Sequence, residues 1–167
     1  MFSDRTSVTM ATIARRIEEA TALDPLVERI DAALPDSLRE GVGRKLLSGY
    51  WMGHSAHPLL TDLPIGFWTS ATALDALGRP EVAPASRRLV ALGIVASLPT
   101  VASGWSDWTK LDTPTRRVGV VHATCNAAAL VCYTASYLAR RREPDDPEKG
   151  KRWGYLGALA LGAGGFL

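Results

Sequence analysis

Cysteine is nearly absent from this chain: 167 residues hold two, Cys125 and Cys132. They fall two turns apart on one expected helix, roughly 10 Å along its axis. That is too far for a disulfide between them, so they read as packing residues and not as ligands. Histidine is sparse as well, with three residues in all. No apolar h-region follows Met1, because MFSDRTSVTM runs on into Arg15, Arg16, Glu18 and Glu19. A cleavable signal peptide is therefore not expected, and insertion into a membrane would rest on internal segments. The chain has no glycine-rich phosphate loop, no nucleophile elbow and no glycosidase-like carboxylate pair, so soluble-enzyme chemistry is unsupported and no residue is nominated as catalytic. A separate basic domain is missing too. The Lys and Arg behind the net charge of +2 sit beside apolar runs, which suits lipid headgroups and argues against nucleic acid.

What the chain does have is a division that its near-zero mean hydropathy conceals. Residues 1–48 are polar and helical in pattern, whereas 49–167 carry long apolar runs. In the first part, residues 10–34 read as helix, with Ile13, Ile17 and Ala20 on one stripe. Asp24-Pro25 suits an N-cap followed by proline at the first helical position, and the second helix should stop near Leu34 before Pro35-Asp36. A short helical stretch over Ser37 to Leu47 follows. These helices would lie on the membrane surface, pack on the bundle or form a solvated cap.

In the second part, four runs approach the length needed to cross a hydrocarbon core: residues 58–78, 89–108, 118–139 and 153–167. Leu89 to Trp105 carries no formal charge, and Val118 to Ala139 carries only His122 as a titratable group. The first run holds Asp62 and Asp75 near its ends. The last is about 22 Å of helix at Leu167, short of a full crossing and consistent with a cut chain. Asp112-Thr113-Pro114 marks one turn and Glu143 to Gly150 a polar loop. The fold class expected is all-α, a transmembrane helical bundle of three to four spans. Pro64 and Pro99 each free a carbonyl that a neighbour must satisfy. Tyr50, Trp51, Trp105 and Trp108 would mark one interface, and Tyr137, Trp153 and Tyr155 the other. Gly93 with Ser97 and Ala158 with Gly162 have the spacing of close helix contacts. Basic residues flank the spans in similar numbers on both sides, so orientation is left open.

Alternating spans gather His54, His57, Asp62, Trp105, Asp107, His122 and Asn126 at one membrane face, and this set includes every histidine. Ionisable groups inside a bilayer usually turn inward and pair or serve a function. One reading makes His57 and His122 ligands to a metal ion or haem iron, with His54 as the alternate and Asp62 or Asp107 orienting their second nitrogens. The other makes His54 and His57 interfacial caps, His122 an interhelical hydrogen bond and Asp62 a clamp on backbone freed by Pro64. Asp75 reads as a helix cap or as the partner of Arg79 or Arg87. A proton path through Asp62 and His122 ranks last, since the second span offers only Ser97, Thr100 and Ser103 at depth.

The strings GHSAHPLLTDLPIGFWTSATALD (residues 53–75), SGWSDW (103–108) and RVGVVHATCN (117–126) resemble domain-of-unknown-function family 2231, small bacterial four-span membrane domains. The motif match covers His57, Pro58, Asp62, Pro64, Gly66, Asp75, Gly104, Asp107, His122 and Asn126. The resemblance implies a multi-pass protein of the bacterial inner membrane, and it transfers no activity. Members often precede a Rieske iron-sulfur domain in one chain, after a span ending in G-G-H-L. Here Gly164-Gly165-Phe166-Leu167 stands in that place and no Rieske motif is present. The shared face of polar residues, taken with that association, leaves two alternatives. One is a His-lined redox domain, holding haem b or a metal ion and working with a Rieske-type partner. The other is a non-catalytic anchor or assembly module. Either is compatible with a homo-oligomer in the bilayer.

Overall fold

A helix rises 1.5 Å per residue, so about 20 residues span a hydrocarbon core. Four helices in the second part of the chain reach or approach that length. The computed structural model describes residues 3–143 and 146–167. Pro144 and Asp145, inside the polar loop expected before the last span, lie outside the described residues, as do Met1 and Phe2. The regular elements among the described residues are all helical: α1 (Ser3–Glu18), α2 (Asp24–Ala33), α3 (Gly41–Leu47), α4 (His57–Ala76), α5 (Ala83–Trp108), α6 (Thr113–Arg142) and α7 (Pro147–Gly165), with short 3-10 turns between. Helices α4 to α7 run up and down in an antiparallel bundle, in which α4 pairs closely with α5 and α6 with α7. Asp112 caps α6 by accepting the Thr115 N–H at 3.2 Å. Bonds from Thr115, side chain first and backbone second, hold the Asp112 carboxyl below the usual carboxylate range.

Two stretches, Pro80–Trp108 and Thr113–Arg142, are long and apolar enough to cross a membrane. A core helix in a water-soluble domain would be mostly buried. Here only 33% and 22% of the most apolar windows are buried, and Leu92, Val95, Leu98, Val101, Val131 and Leu138 face outward. An apolar belt of that extent needs an apolar solvent.

The helices meet through small residues. Helix α5 buries Ser86, Gly93, Ser97, Thr100, Ser103 and Ser106, which with Val90 fall three or four apart on one stripe. Helix α7 buries Gly150, Gly154, Gly157 and Gly164 at heptad-like spacing. These glycines seat large α6 side chains: Gly150 lies against Arg140, Gly157 against the Tyr133 ring and Gly164 against Asn126. The Ala158 and Gly162 pair read from the sequence is one register off, since Gly162 is exposed and has open space where a Cβ would stand. At mid-bundle Trp68 of α4 stacks on Tyr133 of α6 with centroids 4.3 Å apart, and Ala71, Val90 and Ala129 complete that core.

The polar N-terminal part is docked on the bundle. Arg117 of α6 donates to both carboxylate oxygens of Asp24, at 2.7 and 2.9 Å, and also to the Glu18 carbonyl. Asp24 is thus the first residue of α2 and an ion-pair partner, whereas the cap position falls on Leu23 with no side-chain bond. Beneath this clamp Val27 packs with Trp108 and Val120, flanked by Ile30, Leu34 and Trp105. Trp108, expected at the lipid interface, is 4% exposed and belongs to this second core. Its indole N–H donates to the Arg116 carbonyl at 3.0 Å, and Ser106 donates to the Leu38 carbonyl at 2.9 Å. Arg117→Ala removes three of these donors at once. The variant is expected to release α1 and α2, which limited proteolysis would show as accelerated cleavage within residues 3–48 while the bundle stays intact.

Candidate functional site

The polar residues nominated by the sequence separate into distinct clusters. Pro64 has no N–H, which leaves the Leu60 carbonyl of α4 without its helical donor. Thr100 of α5 lies 2.9 Å from that oxygen and 3.0 Å from the Ala96 carbonyl, so its one hydroxyl proton serves both. The expected clamp was Asp62. That residue is exposed on the outer side of α4, with no hydrogen bond or ion pair among the described residues. The reason is helical phase: Pro64, Trp68, Ala71 and Asp75 form the buried stripe of α4, and Asp62 stands off it.

One turn toward the helix end, the His57 ring rests on Gly104, where a Cβ would come within 2.8 Å of Cε1. His57 Nδ1 is 3.0 Å from the Thr100 carbonyl and 3.1 Å from Ser103 Oγ, which itself donates to that carbonyl at 2.8 Å. A carbonyl only accepts, so Nδ1 carries a proton, and Nε2 has no hydrogen-bond partner among the described residues. Asp107 does not orient this ring. It accepts from Ser55 Oγ and pairs with Lys110 at 2.7 Å, which ties the segment before α4 to the end of α5. His54 is exposed, its Nδ1 3.0 Å from the Ser55 carbonyl.

His122 is engaged at both nitrogens. Nδ1 is 2.9 Å from the Gly164 carbonyl of α7, and Nε2 is 2.9 Å from Asn126 Nδ2 one turn along α6. The carbonyl can only accept, so Nδ1 carries a proton, and the Asn126 amide occupies Nε2. This arrangement does not fit a metal or haem centre built on His57 and His122, because both ring nitrogens of His122 are already engaged within the protein. Among the described residues no group of three or more His, Cys, Asp and Glu side chains is placed to hold a metal ion. Cys125 and Cys132 are free and half-buried.

The most deeply buried polar network lies at the other end of the bundle. Asp75 and Arg140, 6% and 4% exposed, form a two-pronged pair with contacts of 3.0 and 2.5 Å. Ser86 donates to Asp75 at 2.7 Å, and Arg140 Nε donates to Ser136 at 3.1 Å. Ser136 in turn donates to the Gly150 carbonyl at 2.6 Å. One network therefore joins α4, α5, α6 and α7. The partner expected for Asp75 was Arg79 or Arg87. Arg140 takes that role because its stripe, Tyr133, Ser136 and Arg140, faces inward. The periodicity held this signal, although it was masked by the run Arg140-Arg141-Arg142.

Neither the curated proteins nor the solved structures contain a match to this chain. A family model does match, over residues 53–165, from the glycine before His54 to the end of α7. That stretch contains the His57 seam, the His122 and Asn126 pair and the Asp75 and Arg140 network, and it excludes the clamped N-terminal part. The chain belongs to the DUF2231 family, described as predicted membrane proteins.

Proposed function

We propose that this protein is a non-catalytic membrane module, an anchor or assembly platform whose internal polar groups lock its helices together. In this reading α4 to α7 all cross the bilayer, residues 49–167 form the spanning unit and residues 1–48 cap one face of it. The observation that carries it is His122. Its two ring nitrogens are both spent inside the bundle, on Gly164 and Asn126, and nothing is left for a ligand. His57 follows the same pattern at its Nδ1 and offers a single free nitrogen. A platform of this kind holds a second protein at the membrane, and the resemblance to chains that carry a Rieske domain makes an iron-sulfur protein the first partner to try.

The test is His122→Ala in protein purified in detergent from cells replete with haem and metals. Loss of two interhelical or near-helical bonds should lower stability by about 1–2 kcal/mol, read as a fall in thermal midpoint. Wild type and variant should both lack a haem absorption band and stoichiometric metal. A stoichiometric haem or metal that disappears in His122→Ala would overturn the lock and restore the redox reading.

A further inference from the structure

The end of the bundle opposite the histidines holds a feature that the lock does not use. Between the start of α5 and the end of α6 lies a cleft of about 450 Å³ lined by Arg87, Arg88, Ala91, Tyr137 and Arg141. Three guanidiniums thus converge on one concavity. None of the three has a salt-bridge partner among the described residues, although other cations on this end do: Arg140 holds Asp75, Lys149 holds Glu143 and Lys151 holds Glu148. Glu143 also lines the adjoining cleft beside Arg87, and its pairing with Lys149 at 3.2 Å leaves Arg87 unneutralised. The Arg141 guanidinium stands 5.9 Å from the centre of the Tyr137 ring, which fixes one side of the opening.

Converging guanidiniums with no acid to answer them select an oxyanion, and their planar forks fit phosphate oxygens best. That chemistry could come from free phosphate or from a phosphodiester headgroup. The position decides between them. The cleft lies at the ends of the two most apolar helices, where headgroups sit when those helices cross a bilayer. Below it, Val95 and Leu98 continue the stripe of Ala91 at one and two turns, and both are 64% exposed. A polar mouth beside an exposed apolar helix face matches a headgroup followed by acyl chains, and a volume of this size admits one phosphoglycerol unit. We propose that the cleft between α5 and α6 is a binding site for an anionic phospholipid, with Arg87, Arg88 and Arg141 holding its phosphate.

The experiment uses the full chain in a zwitterionic detergent. Phosphatidylglycerol, phosphatidylcholine and inorganic phosphate are each added, with retained lipid counted by native mass spectrometry and thermal midpoint read alongside. Phosphatidylglycerol should remain bound and raise the midpoint, whereas phosphatidylcholine and inorganic phosphate should do neither. The triple variant Arg87→Gln, Arg88→Gln, Arg141→Gln should bind phosphatidylglycerol about a hundredfold more weakly. A control pair, Arg142→Gln with Arg152→Gln, removes exposed charges of the same end outside the cleft and should bind as wild type. If the triple variant does not purify, Arg88→Gln alone should weaken binding about fivefold. Equal binding by wild type and the cleft variants would overturn the site. An equal loss in the control pair would reduce it to diffuse charge, and inorganic phosphate matching the lipid would replace the lipid with a soluble anion.

Discussion

Asp75→Ala is expected to destabilise the bundle by about 3–5 kcal/mol, because it strands the Arg140 guanidinium where only 4% of that residue is exposed. Forming a buried ion pair contributes little net free energy, since the attraction is offset by desolvation of both charges. Removing one partner leaves the other desolvated and unanswered, so the loss is far larger than the pair's own worth. Arg140→Met should behave alike, leaving the Asp75 carboxylate with Ser86 as its one donor. The combined variant Asp75→Leu with Arg140→Met carries no buried charge at this end of the bundle and should recover most of the loss. Arg79→Ala, at the exposed position that spacing alone nominates as the partner, should stay within about 0.5 kcal/mol of wild type. Unfolding in detergent by heat or denaturant reads all four. If Asp75→Ala melts with wild type, the pair does not hold the four helices together at this end.

Asp75 and Asp62, the two aspartates of α4, mark what the sequence could and could not reveal. The apolar runs, the break at Asp112-Thr113-Pro114 and the carbonyl orphaned by Pro64 follow from local chemistry, and each is found where the residues put it. Which aspartate turns inward depends on phase. Asp62 and Asp75 stand about 140° apart on a helix of 3.6 residues per turn, so one stripe cannot take both. Trp68 and Ala71 select the stripe of Asp75, a choice available from the pattern once Trp68 is treated as core. The partner was harder to read, because 65 residues separate Asp75 from Arg140 and two further arginines follow it. The gathering of the histidines at one end followed from the alternation of spans. Whether their nitrogens were free did not, because Gly164 reaches His122 only through the packing of α7 on α6.

That packing rests on a transverse row of two stacked rings with a glycine at each end. Gly93 of α5 lies under the Trp68 indole of α4, Trp68 stacks on Tyr133 of α6, and Tyr133 lies over Gly157 of α7. A Cβ at position 93 would come 2.2 Å from Trp68 Nε1 and 2.4 Å from Cδ1, well inside any real contact. The indole cannot retreat easily. Its N–H is bonded to the Val90 carbonyl at 3.3 Å, and Tyr133, behind it, would meet a Cβ at Gly157 within 2.9 Å. Gly93→Ala is therefore expected to lower stability by about 3 kcal/mol, the upper part of the range for overpacked cores. Gly66→Ala supplies the contrast. It is the same change in a helix of the same bundle with open space around the new methyl, and it should leave stability unchanged or raise it by up to about 1 kcal/mol. Pairing Gly93→Ala with Trp68→Leu should recover part of the loss by vacating the ring's volume, at the expense of the stack with Tyr133. Thermal midpoint with tryptophan fluorescence follows each variant. A Gly93→Ala protein that melts like wild type would mean that the indole can leave its stack without loss, and that the row of rings and glycines does not set the spacing of the four helices.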